Sequence, residues 1–208
     1  MAAEPSSRDR ILEVAAALFR EHGYQGTGMR ELADRAGVAK ATLYHHFPSK
    51  AALLYQIVQH TVDEATPRLR EIAAEPLPAS RRLREAVGGH VRQVISDLDN
   101  VSCFVEEGRF LPPDLLATHL ASRDGYESLF RGILEDGIRE GSFCAVDVRL
   151  AAFALLGMCN WTARWYRPGG ELDAEEIAGV FGDLAVSAMS RGPGAARIPP
   201  ADSGRTGP

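Results

Sequence analysis

The stretch from Thr27 to Lys50, TGMRELADRAGVAKATLYHHFPSK, leaves this chain few ways to fold. Met29, Leu32, Ala33 and Ala36 recur at helical spacing. Thr27 stands just ahead of them and is expected to cap that helix, its hydroxyl accepting from an otherwise unpaired backbone N–H. Gly37 ends the helix, because glycine enters the left-handed region without a Cβ clash. A second helix is predicted from about Ala39 to His46, and Pro48 blocks its continuation. Two short helices around a glycine turn form the helix-turn-helix unit, whose second helix lies in the DNA major groove.

In the second helix Leu43 and Phe47, four apart, face the core. Lys40, Thr42, Tyr44, His45 and His46 point elsewhere. A cation, a hydroxyl, a phenol and two imidazoles suit a row of phosphates and base edges. Taken alone, the same row also fits an ordinary solvated helix face.

The wider segment RILEVAAALFREHGYQGTGMRELADRAGVAKATLYHHFPSKAALL resembles the DNA-binding domain of TetR-family transcriptional regulators. A leading helix ending in ALFREHGY, the Thr27 turn, RELADRAGV and the ATLYHHFPSK block carry the resemblance, which covers about Arg8 to Val58. It implies a homodimer on a pseudo-palindromic operator in double-stranded DNA, acting by default as a repressor. Lys40, Thr42, Tyr44 and His45 would enter the groove; Thr27, Arg30, His46 and Lys50 would hold phosphates or brace the motif. Tyr44 and Lys50 correspond best to backbone contacts. His45 stands where an aromatic is common and Ala41 where glycine is common, so base preference does not carry over.

Charge is divided unevenly along the chain. The net charge is −5, but residues 1–50 carry seven Lys and Arg against six Asp and Glu, and residues 51–208 carry sixteen against twenty-two. A near-neutral head on an acidic body suits a protein that presents one end to DNA. Lys40 and Lys50 are the only lysines, and both fall in the suspected reading stretch. With 45% hydrophobic residues, the 208-residue chain can bury a real core. Cys103, Cys144 and Cys159 are too widely spaced for a zinc ribbon or a disulfide scaffold. No signal peptide is read at the N-terminus, and the longest apolar run, Leu150–Cys159, is too short to span a bilayer. The expectation is a cytoplasmic protein off the membrane, with no cofactor and no metal. Motifs for nucleophilic hydrolysis, zinc proteolysis or nucleotide binding are missing from the sequence, so no catalytic residue is assigned.

The remaining pattern predicts an all-α chain. Residues 1–7 read as a flexible arm, and a helix runs from Ser7 to Glu21 with Gly23 after it. Ser49 caps a fourth helix that weakens by Pro67; the family resemblance makes this helix the transmitter between head and body. Glu75–Ser80 is a loop. Further helices are expected from Ser80 to Asp99, Pro113 to Glu140, Asp147 to Tyr166 and Asp173 to Ser190, with the short apolar piece VSCFV between the first two. His90 lies beside the stripe of the first of these and reads as a hydrogen-bonded core residue. LAAFALLGMC, apolar all round, is expected to be buried on every side, one side on the core and the other on a second subunit; Ile177, Phe181, Leu184 and Ala188 form the stripe of the last helix, with the small Ala178, Gly182 and Ala185 nearby to let helices approach closely. These last two helices would pair with their symmetry mates as a four-helix dimer seam. The division is a helix-turn-helix domain at 1–50, a helical effector-binding and dimerisation domain at 51–190, and a Gly/Pro-rich tail at 191–208 read as disordered.

The segment from Leu150 to Leu184 loosely resembles TetR-family members that respond to acyl-CoA thioesters. On that reading Arg164 and Arg167 contact CoA phosphates, Trp161 or Trp165 stacks on the adenine or lines the acyl path, and Phe104, Phe110, Tyr126 and Phe130 line an apolar tunnel. Other aromatic or lipophilic ligands fit the same residues. So does a DNA binder with no effector, in which the aromatics are core or dimer packing and the arginines are solvated.

Overall fold

The computed structural model describes residues 6–190. The expected tail at 191–208 and most of the N-terminal arm lie outside the described residues. Those described form helices, joined by turns and one isolated bridge between Phe143 and Ser190. The chain divides into two compact units, one of residues up to 65 plus 96–124, the other of 66–95 plus residues from 125 onward.

The first unit holds α1 (Ser7–Gly26), α2 (Met29–Ala36), α3 (Lys40–His46), most of α4 (Lys50–Ala74), α6 (Leu98–Glu106), a 3-10 turn at Gly108–Phe110 and the start of α7 (Pro113–Glu140). Ser6 caps α1 by accepting from the Asp9 N–H, and the backbone leaves the helix at Gly23, as the sequence suggested. Gly37 takes φ 65° and ψ 34°, and its N–H closes α2 onto the carbonyls of Ala33 and Asp34. Ser49 Oγ accepts from the Ala52 N–H and caps α4. Ile11, Leu18, Phe19, Leu32, Leu43, Phe47, Leu54 and Ile57 make one core, which Cys103 of α6 and Leu111 complete. Burial pushes the Cys103 thiol up to about 12, so it stays protonated.

Three expectations are corrected. Thr27 does not cap α2. Gly28 holds the cap position with no side-chain bond, while the Thr27 hydroxyl turns inward toward the carbonyls of Gly23 (3.0 Å) and Leu18 (3.3 Å). A threonine that can bond back to its own turn loses its reach to the next helix. The fourth helix, expected to weaken by Pro67, instead runs on to Ala74, with buried Val62, Leu69 and Ile72 on both sides of the proline. The helix expected from Ser80 to Asp99 breaks at Asp97 (φ −133°, ψ 48°), which starts α6 and takes VSCFV into it.

The second unit contains α5 (Ala79–Ser96), the later part of α7, α8 (Val148–Asn160), the short α9 (Thr162–Trp165) and α10 (Ala174–Met189). Leu83, Val87, Val91 and Val94 of α5 are buried, with Phe130, Ile133 and Leu134 of α7. On α10, Ile177 of the expected stripe and its small neighbours Ala178, Gly182 and Ala185 are buried with Met189, while Leu184 and Ala188 face out in the single chain. A Cβ on Gly182 would stand 2.8 Å from the Arg84 carbonyl oxygen, so the small residues let α10 approach the α5 backbone. On α8, Leu150 and Phe153 are exposed in the single chain. Asp173 and Glu176 form a capping box at the start of α10, and Asp147 caps α8. Among the described residues, no helix is long and apolar enough to cross a membrane, and no group of side chains is placed to hold a metal ion.

Candidate nucleic-acid interface and effector region

The α3 helix is anchored by its apolar members. Leu43 and Phe47 are buried, and the Phe47 N–H closes the helix on the Leu43 carbonyl at 2.8 Å. Arg8, which the sequence reading did not single out, lies over the Phe47 ring at 5.6 Å and bonds Gln56 at 2.7 Å. That anchorage turns Lys40, Tyr44 and His45 outward; Thr42 and His46 are half-buried. Lys40 Nζ sits 5.8 Å from the Tyr44 ring, and the rings of His45 and His46 meet edge to face at 5.4 Å. Arg30 is almost fully exposed on α2, four residues from Asp34.

Thr27 and Lys50 stand apart from this row. The Lys50 ammonium donates to the carbonyls of Tyr24 (2.7 Å) and Thr27 (2.9 Å) and lies 4.4 Å from the centre of the Tyr24 ring. Both carbonyls follow the break of α1 at Gly23, and that of Tyr24 also accepts from the Thr27 N–H at 3.4 Å. Lys50 therefore ties the start of α4 to the end of α1, and buried Thr27 supports the same turn.

The residues expected to hold an effector fall into three groups. Phe104 and Phe110 pack against the core of the first unit; Phe104 meets His119 edge to face at 5.3 Å, and Phe110 stacks on Tyr24 at 5.6 Å. Tyr126 and Phe130 are buried in the second unit with ring centres 5.7 Å apart. Trp161, Arg164, Trp165 and Arg167 are exposed on α9 and the turn after it. The Arg167 guanidinium donates to the carbonyls of Arg164 (3.3 Å) and Tyr166 (3.0 Å), and Trp165 leans on Phe181 at 6.5 Å.

His90 is hydrogen-bonded through both ring nitrogens, as expected of a core histidine. Nδ1 is 2.8 Å from the Tyr126 hydroxyl and Nε2 is 2.9 Å from Asn160 Oδ1. Burial lowers its pKa, so the imidazole is neutral at pH 7; Nε2 donates to Asn160, and Tyr126 donates to Nδ1. Asn160 was invisible from the sequence because seventy residues separate it from His90.

A left-handed glycine turn between two short helices, a buried Leu43–Phe47 anchor and an outward row of cation, phenol and imidazole define a helix-turn-helix DNA-binding protein. Residues 11–57 match the family of bacterial regulatory proteins described as tetR, and residues 76–189 match the tetracyclin repressor-like C-terminal domain. The chain belongs to the TetR family of transcriptional regulators. It is 32% identical over 186 residues to the HTH-type transcriptional repressor KstR2 of Rhodococcus jostii, covering 88% of this chain and 91% of the relative. Among solved structures it is similar to the TetR-family regulator PfmR of Thermus thermophilus, with a TM-score of 0.80 and 37% identity over 88% of this chain and all of that one (100%). It also resembles AibR, solved in complex with isovaleryl coenzyme A and operator DNA, with a TM-score of 0.77 and 28% identity over 89% and 98% of the two chains.

Proposed function

We propose that this chain is a cytoplasmic, homodimeric repressor that leaves its operator when a small apolar effector binds, and that the effector is an acyl-CoA thioester. The outward row on α3 carries the DNA-binding part of this reading, because only side chains clear of the core can reach base edges. Lys40, Thr42, Tyr44 and His45 of each subunit enter successive major grooves of a pseudo-palindrome; Arg30, His46 and Lys50 serve the phosphates, and Thr27 braces the turn. Residues 1–50 form the reading head and 51–190 the effector and dimerisation body. Leu150 and Phe153 on α8, with Val180 and Leu184 on α10, are 41–61% exposed in the single chain and favour a seam with a second copy.

The CoA reading draws on the isovaleryl coenzyme A bound to AibR. It places Arg164 and Arg167 on the CoA phosphates with Trp161 or Trp165 against the adenine, and gives the acyl chain to Tyr126 and Phe130. Effector binding moves α4 and so changes the spacing of the reading helices, to the extent that the ligand prefers the state that does not bind DNA. A gel shift on the DNA upstream of its own gene, with acyl-CoAs of graded length and free CoA, tests the proposal. Release by one class of thioester is expected. A shift that no thioester disturbs would move the search to other lipophilic or aromatic compounds.

Lys50 supplies a second test. Lys50→Ala should weaken binding to every DNA sequence and reduce the slope of log affinity against log salt by about one. An unchanged slope would leave Lys50 as a brace between α4 and α1 only.

A further inference from the structure

We infer that the Asn160 amide, set in place by His90 and Tyr126, forms a hydrogen-bonding station for a neutral carbonyl oxygen of the effector. This rests on the reading that the second unit takes an effector, and it names the chemistry that unit selects.

The station lies within one unit. His90 comes from α5, Tyr126 from α7 and Asn160 from the last position of α8. Around it the unit is apolar: Phe130 and Cys159 are buried, and His90 stands edge-on to the Phe130 ring at 6.2 Å. The imidazole uses both nitrogens on its neighbours, so it is the spacer that sets the other two groups in place. Donor capacity remains on one side of it. With its hydrogen on His90, the Tyr126 hydroxyl has only lone pairs left, which a carbonyl oxygen cannot use; with Oδ1 accepting from His90, the Asn160 amide keeps its N–H donors. Two residues beyond Asn160, where α8 gives way to α9, the Thr162 hydroxyl is fully buried and has no hydrogen-bond partner. Buried polar groups are ordinarily satisfied, and this one, two residues along the chain from Asn160, is a group that a further polar atom would complete.

Charge selects among possible ligands. Burial is the main cause of the shifts of His90 and Tyr126, and among the described residues no charged side chain is hydrogen-bonded or ion-paired to His90, Tyr126 or Asn160. A carboxylate or phosphate placed here would be desolvated without a counter-charge. A ketone, ester or thioester oxygen would gain the amide donor at no such cost. Burial holds the imidazole neutral, although His90 as a whole is only half-buried. The same chemistry could come from the thioester of an acyl-CoA or from a free ketone.

Binding to the full-length protein tests this with two matched pairs: octanoyl-CoA against its thioether analogue S-octyl-CoA, and 2-decalone against decalin. The wild type should favour the carbonyl member of at least one pair by about tenfold, as expected for one buried hydrogen bond. Asn160→Leu and Asn160→Ala should bring that ratio to within about twofold while leaving DNA affinity unchanged. Two variants are used so that the loss of one to misfolding leaves the other decisive. Discrimination in the decalone pair alone would sustain the station and remove the CoA reading. Equal binding of octanoyl-CoA and S-octyl-CoA, with no preference in the other pair, would keep the CoA reading and overturn the station. A preference that survives both substitutions, or no preference in either pair, would also overturn it.

Discussion

Replacing Arg82 with alanine is expected to lower the stability of the fold by about 3–5 kcal/mol, the range for breaking a buried charge pair from one side. The Arg82 side chain is 8% exposed and serves four acceptors. Its Nη1 donates to the Ala73 carbonyl at 2.9 Å and to Asp136 at 2.8 Å, its Nε donates to the Leu77 carbonyl at 3.0 Å, and Glu140 lies 3.6 Å from Nη2. One guanidinium thus ties the last turn of α4 and the following loop to α7. Its loss strands two carbonyls and a carboxylate together. Glu140 is more exposed and adds less, although it also accepts from the Ala79 N–H at the start of α5.

The loss should depend on pH. The Arg82 hydrogen bond, opposed by desolvation and helped by Arg139, holds the Asp136 carboxyl below its ordinary range. A depressed carboxylate pKa stabilises the fold above the unfolded value, about 3.9, and that contribution disappears as pH falls through the lower folded value. The gap between wild type and Arg82→Ala should therefore be full at pH 7 and narrow below about pH 4. Urea denaturation at both pH values measures it. A gap of equal size at the two would show that the carbonyl bonds, not the ion pair, carry the effect.

Phe47→Ala should cost about 3–5 kcal/mol as well, and should abolish operator binding although Phe47 touches no DNA in the reading proposed. Phe47 is 1% exposed, closes α3 through its N–H and lies under the Arg8 guanidinium. Removing the ring empties the contact that orients α3. Tyr44→Ala is the contrast: Tyr44 is 42% exposed, so stability should hold while DNA affinity falls. Thermal denaturation and gel shifts of the two variants separate the roles. If Phe47→Ala bound operator normally at a temperature where it is folded, α3 would not need this anchor.

The reading head was legible because its signals are local. Gly37 needed only its own backbone to end α2, and Leu43 and Phe47 needed only helical spacing to declare an inward face. Thr27 misled because one hydroxyl had two local uses, and the inward one won once the turn had formed. In the body, periodicity identified the helices but not the face each would bury. On α10 it offered both the Ile177–Leu184 stripe and the small residues beside it, and packing buried Ile177 with Gly182 and Ala185 while leaving Leu184 exposed in the single chain.

The sequence by itself determined the helix-turn-helix and the helical class, which follow from caps, turns and spacing within a few residues, and it pointed to the family through the resemblance of the segment from Arg8 to Val58. Only the tertiary structure decided that Lys50 reaches back to α1, that Arg82 joins four segments, and that His90 sets Tyr126 beside Asn160. The physical reason is range. Each of these bonds joins groups far apart in the chain, and their geometry exists only after the apolar faces have packed.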